Sequence, residues 1–358
     1  MSLPASTHTA SRVLIIGGGI AGLSAALRLR ALDPSIAVAI CESSRILGGK
    51  IAGELVDGCV VDGGADVCIG DKLRTTHLFA NLDLGKRTIR VNPDNLPTYE
   101  WRAGALERSA ISFAGELLTF RSGMREIVNV TCDALAGVTV RTATSVTSIR
   151  SDGPKWRADC GDGNSQIVDA VIVATPAPTA AGLLPAISQQ IMSRLRELES
   201  PATTTVTMAW RTSDVPRSLD GTGYLAADSN ARMSACTWVS AKNPSHAPPG
   251  LALLRGYIRG TFGDPAAVMR DEVATVLGIN TPPLFTRAYK WDAGIPVYTP
   301  AHHDNVRDLT AALTSAPGIF IAGSAFHGVG IPDCIHSGER AAADALSYVR
   351  SCGTEEAA

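Results

Sequence analysis

The stretch Arg12-Val-Leu-Ile-Ile-Gly17-Gly-Gly19-Ile-Ala-Gly22 decides the fold. Its first half is a short apolar run that ends at glycines, which predicts a buried strand followed by a tight turn. Gly17 permits that turn, Gly19 lets the backbone approach a phosphate group, and Gly22 lets the next helix pack closely on the strand. The pattern therefore predicts a phosphate site at the amino end of a helix.

The sequence after these glycines continues in the order that a nucleotide-binding unit requires. A helix is expected up to Asp33-Pro34, because Ile20, Leu23 and Leu27 share one face. A second strand at Ile36 to Cys41 then ends at Glu42, which suits a ribose hydroxyl. We expect a βαβ start that holds a nucleotide cofactor.

Paired glycines then separate this chain from an ordinary nicotinamide-binding domain. Gly48-Gly49 precedes Lys50, and Gly63-Gly64 follows a hairpin whose two-residue turn is predicted at Asp57-Gly58. Bare backbone at such positions can pass beside a large flat cofactor. We therefore expect a flavin nucleotide.

These residues resemble the start of the amine oxidase and phytoene desaturase superfamily. The later segments Gly328-Val-Gly-Ile-Pro-Asp-Cys-Ile335 and Trp291 to His302 resemble the protoporphyrinogen and coproporphyrinogen oxidases of that superfamily. The likeness extends over residues 12–86 and about 120–350. The chain is thus identified as a shortened relative of that family.

The resemblance implies noncovalently bound FAD, hydride transfer from a substrate C–H bond to flavin N5, and molecular oxygen as the electron acceptor. It also implies that the positive end of the last helix points at the flavin. Val146 would contact the adenine through its backbone, whereas Trp291 could also be ordinary core packing. The implied cofactor contacts are Gly17, Gly19, Gly22, Glu42, Ser43, Lys50, Gly63, Gly64, Val146, Trp291, Val329, Gly330 and Ile331.

Three residues are candidates for contact with a small-molecule substrate: Lys72, Tyr298 and His302. Lys72 would meet substrate carboxylates, although a solvated surface lysine is the simpler interpretation. His302 could equally begin an exposed helix that continues to Leu313. No catalytic acid or base is assigned, and no metal is expected because the histidines lack partners at ligand spacing.

The expected fold is α/β, with a Rossmann-like FAD-binding domain and a discontinuous second α+β substrate domain. Residues 1–90, 121–180 and 300–355 are assigned to the FAD-binding domain, and residues 91–120 and 181–299 to the substrate domain. In the second domain, alternation over Thr203 to Arg211 predicts a half-buried strand, and Asp264 and Gly278 delimit a helix.

Composition narrows the partners and the compartment. The 32 basic and 34 acidic residues give a net charge of −2, which argues against a nucleic-acid groove. Residues 1–12 are polar, so no signal peptide is expected there. No apolar run is long enough for an integral membrane span. Eight scattered cysteines favour free thiols and a cytoplasmic location, while the oligomeric state stays open.

The stretch 87–119 departs from the porphyrinogen oxidases. Those relatives insert a long helical region here that roofs the substrate cavity and helps membrane docking, whereas this chain has 33 residues. The helical membrane-binding region is thus largely absent. We favour an oxidase of a specialised-metabolism intermediate, by desaturation or aromatisation. The alternatives are a minimal porphyrinogen oxidase of haem biosynthesis, completed by a partner or membrane, and a non-catalytic FAD-bound scaffold.

Overall fold

A computed structural model describes residues 11–92, 94–110, 115–184, 187–260 and 263–355; the leading residues 1–10, in which no signal peptide was expected, lie outside it. In chain order the strands are β1 Arg12–Ile16, β2 Ala37–Cys41, β3 Gly53–Val56, β4 Cys59–Asp62, β5 Cys68–Ile69, β6 Thr88–Arg90, β7 Thr98–Arg102, β8 Ala105–Arg108, β9 Leu117–Phe120, β10 Val138–Arg141, β11 Val146–Asp152, β12 Lys155–Cys160, β13 Ser165–Val168, β14 Ala170–Val173, β15 Thr203–Arg211, β16 Gly223–Ala226, β17 Met233–Trp238, β18 Leu251–Arg259, β19 Phe285–Trp291 and β20 Ile319–Ile321. The α-helices are α1 Ile20–Leu32, α2 Gly70–Arg74, α3 His77–Asn81, α4 Arg125–Asp133, α5 Ala177–Leu183, α6 Gln189–Arg196, α7 Val239–Lys242, α8 Pro265–Leu277, α9 His302–Leu313 and α10 Ile331–Glu355.

A five-stranded parallel sheet carries the glycine motif. Its order is β10-β2-β1-β14-β20, and Ile15 at its centre lies opposite both Ile40 and Ile172. Val13 and Ile15 face a core shared with α1, α4 and α10, whereas Leu14 and Ile16 face one shared with β11–β13, α5, α6 and α9. Both faces of β1 are covered, as expected for a central parallel strand. The predicted Rossmann-like α/β architecture is confirmed.

A larger sheet forms the second part of the molecule, in the order β19-β15-β18-β17-β16-β7-β8. Its pairs are antiparallel except β16 with β7. Helix α8 packs on one face. It runs from Pro265 to Leu277 between Asp264 and Gly278, as predicted, and Asp264 accepts the Ala267 amide at 3.0 Å.

The half-buried prediction for β15 is wrong. Val206, Met208 and Trp210 pack in the core beneath α8, but Thr205 and Ala209 on the opposite face are buried as well. That second face lies against the segment that follows β4, and Thr205 donates a hydrogen bond to the Gly63 carbonyl. The hydroxyl group of Thr205 therefore contacts another segment of the chain rather than water.

The short stretch 87–119 folds as strands in its described part. Strands β7 and β8 extend the edge of the large sheet, while β9 pairs with both β5 and β6 in a small sheet. Residues 93 and 111–114 of this stretch lie outside the description. The domain boundaries given above stay a prediction.

Two continuous runs of strand-forming residues each form two strands rather than one. The run Val138 to Ile149 forms β10 and the start of β11, because Ala143 between them turns with φ 50° and donates its amide to the Ser44 carbonyl. The run Val168 to Ala174 divides at Asp169, whose carboxylate accepts the Arg12 amide. Each break ties the strands to a neighbouring segment.

Candidate functional site

The glycine turn after β1 forms an open cradle at the amino end of α1. A Cβ atom placed on Gly22 would lie 2.0 Å from the Gly17 carbonyl oxygen, so the helix can pack here only with glycine. On Gly19 it would meet nothing nearer than the Gly49 Cα, at 3.9 Å. No side chain among the described residues caps α1, which leaves its first amide groups to a ligand. This geometry fits a pyrophosphate.

Glu42 closes the cradle at the end of β2. Its buried carboxylate accepts the Gly18 amide at 2.7 Å and the Ser44 amide at 2.8 Å, so its position is fixed from both sides. The Thr144 amide donates to the Glu42 carbonyl, which brings Val146 to the same end of the sheet. Ser43, beside it, donates to the carboxylate at 3.2 Å. The residues implied for the adenosine part are thus neighbours.

A second group of predicted contacts meets beneath β19. A Cβ atom on Gly64 would lie 1.8 Å from the Lys50 carbonyl oxygen, and the Trp291 indole donates to the Gly63 carbonyl at 3.0 Å. Lys50 donates to the Gly294 carbonyl at 2.5 Å, and burial lowers the pKa of its ammonium group. Trp291 is therefore anchored to the glycine pair rather than packed in an apolar core.

The C-terminal turn joins the site through α10. Ile331 begins this helix and is buried, Val329 is about half exposed (48%), and the Gly330 amide donates to Asp333 at 3.2 Å. Strand β20, which leads to the turn, ends on the same side of the parallel sheet as β1. Ligands in such sheets bind outside the carboxyl ends of the strands.

The candidate substrate residues all have protein partners. Lys72 is 53% exposed and pairs with Asp333 at 2.9 Å, so it is neither buried nor an isolated surface cation. The Tyr298 hydroxyl accepts the Gly328 amide at 2.5 Å and donates to the Ser324 carbonyl at 2.9 Å. His302 begins α9 as expected, but its ring is buried and stacks on the Tyr298 ring, with 3.7 Å between the ring centroids. The prediction that His302 is exposed at the start of this helix is therefore wrong. Burial lowers the pKa of the His302 imidazole.

A buried ionic cluster behind Gly63-Gly64 was not predicted. Arg255 on β18 pairs with Asp66 at 2.8 Å, and Lys242 pairs with the other Asp66 oxygen at 3.1 Å. Arg255 is 1% exposed, and these pairs hold the pKa of the Asp66 carboxyl well below its usual range. The sequence contained one indication of this cluster, because Arg255 lies within the otherwise apolar run Leu251 to Ile258.

Metal ligands and membrane spans are both missing from the described residues. No group of three or more His, Cys, Asp or Glu side chains there is arranged to hold a metal ion. In the same residues, no helix combines the length and apolar character needed to cross a bilayer.

Two family models match the chain. The one described as flavin containing amine oxidoreductase matches residues 105–346, and the one described as NAD(P)-binding Rossmann-like domain matches residues 15–82. Coproporphyrinogen III oxidase of Bacillus subtilis strain 168 is 32% identical over 249 residues, which cover 66% of this chain and 52% of the relative. The corresponding enzyme of Propionibacterium freudenreichii is 30% identical over 260 residues, covering 68% and 48%.

The chain thus spans about half the length of these curated relatives. A longer alignment, to coproporphyrinogen III oxidase of Mycobacterium leprae, is 24% identical over 452 positions and covers 93% of this chain and 98% of the relative. Because the chain has 358 residues, at least 94 of those positions are gaps on its side.

Solved structures share the fold. A protein provisionally named protoporphyrinogen oxidase, from Exiguobacterium sp. 255-15, superposes with a TM-score of 0.84 over 95% of this chain and 99% of its own, at 20% identity. A putrescine oxidase variant superposes with a TM-score of 0.74 over 95% and 100%, at 14% identity.

Proposed function

This chain belongs to the family of flavin-containing amine oxidoreductases, and we propose that it oxidises a C–H bond of a small molecule that gains conjugation. Membership makes the chain an FAD-dependent oxidoreductase. The observation that carries the proposal is the meeting of the α1 glycine cradle, Gly63-Gly64 and the start of α10 at one side of the parallel sheet.

The residues of this site bind and orient. The amides at the start of α1 would hold the pyrophosphate, and Glu42 would hold a ribose hydroxyl while it fixes the Gly18 amide. The remaining implied contacts would orient the flavin, with Tyr298 bracing the turn before α10. FAD, when bound, supplies the hydride acceptor at N5.

A porphyrinogen is the first substrate proposed. Seven relatives are named coproporphyrinogen III oxidase, and a bovine one is named protoporphyrinogen oxidase. Lys72 supports this choice, because an exposed ammonium group beside the start of α10 could exchange Asp333 for a substrate carboxylate.

A smaller intermediate of specialised metabolism is the second candidate. The described part of residues 87–119 contains only the short strands β6 to β9, so no long helical roof is built from it. A large tetrapyrrole loses more orienting contacts than a small substrate when such a wall is missing.

The test begins with purified protein containing FAD. Coproporphyrinogen III and protoporphyrinogen IX are added separately under air, and porphyrin fluorescence, oxygen uptake and peroxide are followed. With oxygen as acceptor, each pair of electrons taken from substrate yields one hydrogen peroxide. Flavin bleaching by a porphyrinogen without air, followed by reoxidation in air, supports both assignments.

If oxygen does not reoxidise the bleached flavin, the electron acceptor must be a molecule other than oxygen. If neither porphyrinogen bleaches the flavin, the second substrate candidate is favoured. Lys72→Ala addresses the carboxylate contact, and Lys86→Ala is its matched control because Lys86 forms a local ion pair with Asp83. We expect about a tenfold higher KM for Lys72→Ala, equivalent to about 1.4 kcal/mol, and no change in the control.

A further inference from the structure

The backbone of Asp62–Gly64 is held by side chains from three strands of the large sheet. Its first and third carbonyls accept Arg255 Nη1 at 3.1 and 3.2 Å, from β18. The middle carbonyl accepts Thr205 Oγ1 at 2.5 Å, from β15, and Trp291 Nε1 at 3.0 Å, from β19. All three carbonyls are therefore turned toward this sheet.

Arg255 itself has a fixed orientation. Its other terminal nitrogen, Nη2, pairs with Asp66 at 2.8 Å and donates to the Tyr257 hydroxyl, and its guanidinium carbon lies 4.9 Å from the centre of the Tyr257 ring. Asp66 is in turn held by Lys242 at 3.1 Å. The planar guanidinium group can donate hydrogen bonds to the two carbonyls and to the carboxylate at the same time, whereas the single ammonium group of lysine cannot reach all three, so lysine cannot replace arginine here.

The opposite side of this segment is left for a ligand. In a trans peptide the C=O and N–H groups point in opposite directions, so the Gly64 and Ala65 amides face away from the large sheet. Neither amide donates to an acceptor within the described parts of the chain. The Lys50 carbonyl oxygen lies 1.8 Å from where a Gly64 Cβ would stand, so only glycine fits at this position.

We propose that Arg255 is a positioning residue for FAD: it fixes the Asp62–Gly64 backbone so that the following amides are presented to the cofactor. The proposal rests on the expected contact of Gly63 and Gly64 with FAD, which the proposed function shares, and it is independent of the substrate. Arg255 acts through this backbone and does not touch the reacting atoms.

Removing Arg255 alone would leave Asp66 buried beside a single cation, so loss of folding could mimic loss of positioning. Two variants separate these effects. Arg255→Lys keeps the charge but not the fork, and the double variant Arg255→Met/Asp66→Asn removes both charges together. Trp210→Phe is the control, because it deletes a buried hydrogen bond from β15 to the Thr281 carbonyl, away from Gly63.

Each variant is purified, stripped of FAD and titrated with FAD, following flavin fluorescence, the flavin absorption spectrum and urea unfolding of the apoprotein. We expect FAD Kd to rise about tenfold in Arg255→Lys and in the double variant, with altered flavin spectra. The double variant leaves Lys242 without its carboxylate partner, so it should unfold earlier than the wild type. Trp210→Phe should also unfold earlier but with unchanged Kd, which separates loss of stability from loss of positioning.

The proposal is overturned if both Arg255 variants bind FAD with wild-type Kd and spectrum, or if Kd only follows apoprotein stability across all three variants. If the double variant does not fold, Arg255→Lys decides by the same criteria. Because no substrate is present, inactivity toward porphyrinogens leaves this result unaffected. Failure of all proteins, wild type included, to bind FAD would instead refute the cofactor site.

Discussion

Replacing Asp62 by asparagine should stabilise the protein near neutral pH. The Asp62 carboxyl is 5% exposed and accepts the Met124 amide at 2.8 Å. Burial is the largest influence on it and raises its pKa from 3.8 to about 6, although the nearby Arg255 charge acts in the opposite direction. The difference of about 2 pH units corresponds to about 3 kcal/mol between the two protonation states.

The sign follows from proton binding. Between about pH 4 and pH 6 the folded protein keeps a proton on Asp62 that the unfolded chain has released, so this group lowers the free energy of unfolding as pH rises. The asparagine side chain of the variant cannot ionise, yet its carbonyl oxygen can still accept the Met124 amide. The gain from Asp62→Asn should therefore grow from near zero at about pH 4 to about 3 kcal/mol at about pH 8.

Urea unfolding of wild type and variant across this pH range gives the difference directly, because titration of other groups is common to both proteins. Asp33→Asn is a control of opposite sign. Hydrogen bonds from Ser35 and then Arg350 lower the Asp33 pKa to about 2, so its removal should destabilise the protein above about pH 4 and not near pH 2. A gain for Asp62→Asn that is constant with pH, or a loss at pH 8, would refute the reasoning.

Three further changes test the site. Gly22→Ala should abolish FAD binding or folding, because the new Cβ would lie 2.0 Å from the Gly17 carbonyl oxygen. Gly182→Ala is the control and should leave both unchanged, because a Cβ there would have no atom within 4 Å. The amount of FAD retained on purification measures the difference. Glu42→Gln should weaken FAD binding in a fluorescence titration by about tenfold, since a charge-assisted acceptor is lost; an unchanged Kd would remove its cofactor role. Tyr298→Phe leaves the Gly328 amide and Ser324 carbonyl without their shared partner, so FAD should dissociate several-fold faster in stopped-flow measurements; equal rates would show that Tyr298 does not brace the FAD site.

The sequence predicted the parts of the fold that local signals determine. Strand β1, helix α1 and helix α8 begin and end as expected, because glycine, proline and a capping aspartate act on their immediate neighbours. The Asp57-Gly58 turn is also confirmed, with positive φ at both residues. Such features need no knowledge of the remainder of the chain.

Contacts between distant segments could not be read in this way. The alternation in β15 indicated one buried face, but Thr205 is buried against Gly63, about 140 residues earlier in the chain. Arg255 could be noticed within its apolar strand, yet nothing local identifies Asp66 as its partner. His302 likewise stood at a predicted helix start, and only the position of Tyr298 explains its burial.

The strand order of the parallel sheet also determines when this protein can fold during synthesis. Strand β1 is flanked by β2 and by β14, which begins only at Ala170, and the face beneath α1 is covered by α10, which begins only at Ile331. Gly338 of α10 contacts Ala21 so closely that a Cβ would be 2.0 Å from its carbonyl oxygen. The segment from β1 to β2 must therefore wait, with an exposed strand edge and apolar face, until α10 has left the ribosome. We therefore expect the nascent chain to be most prone to aggregation during that interval.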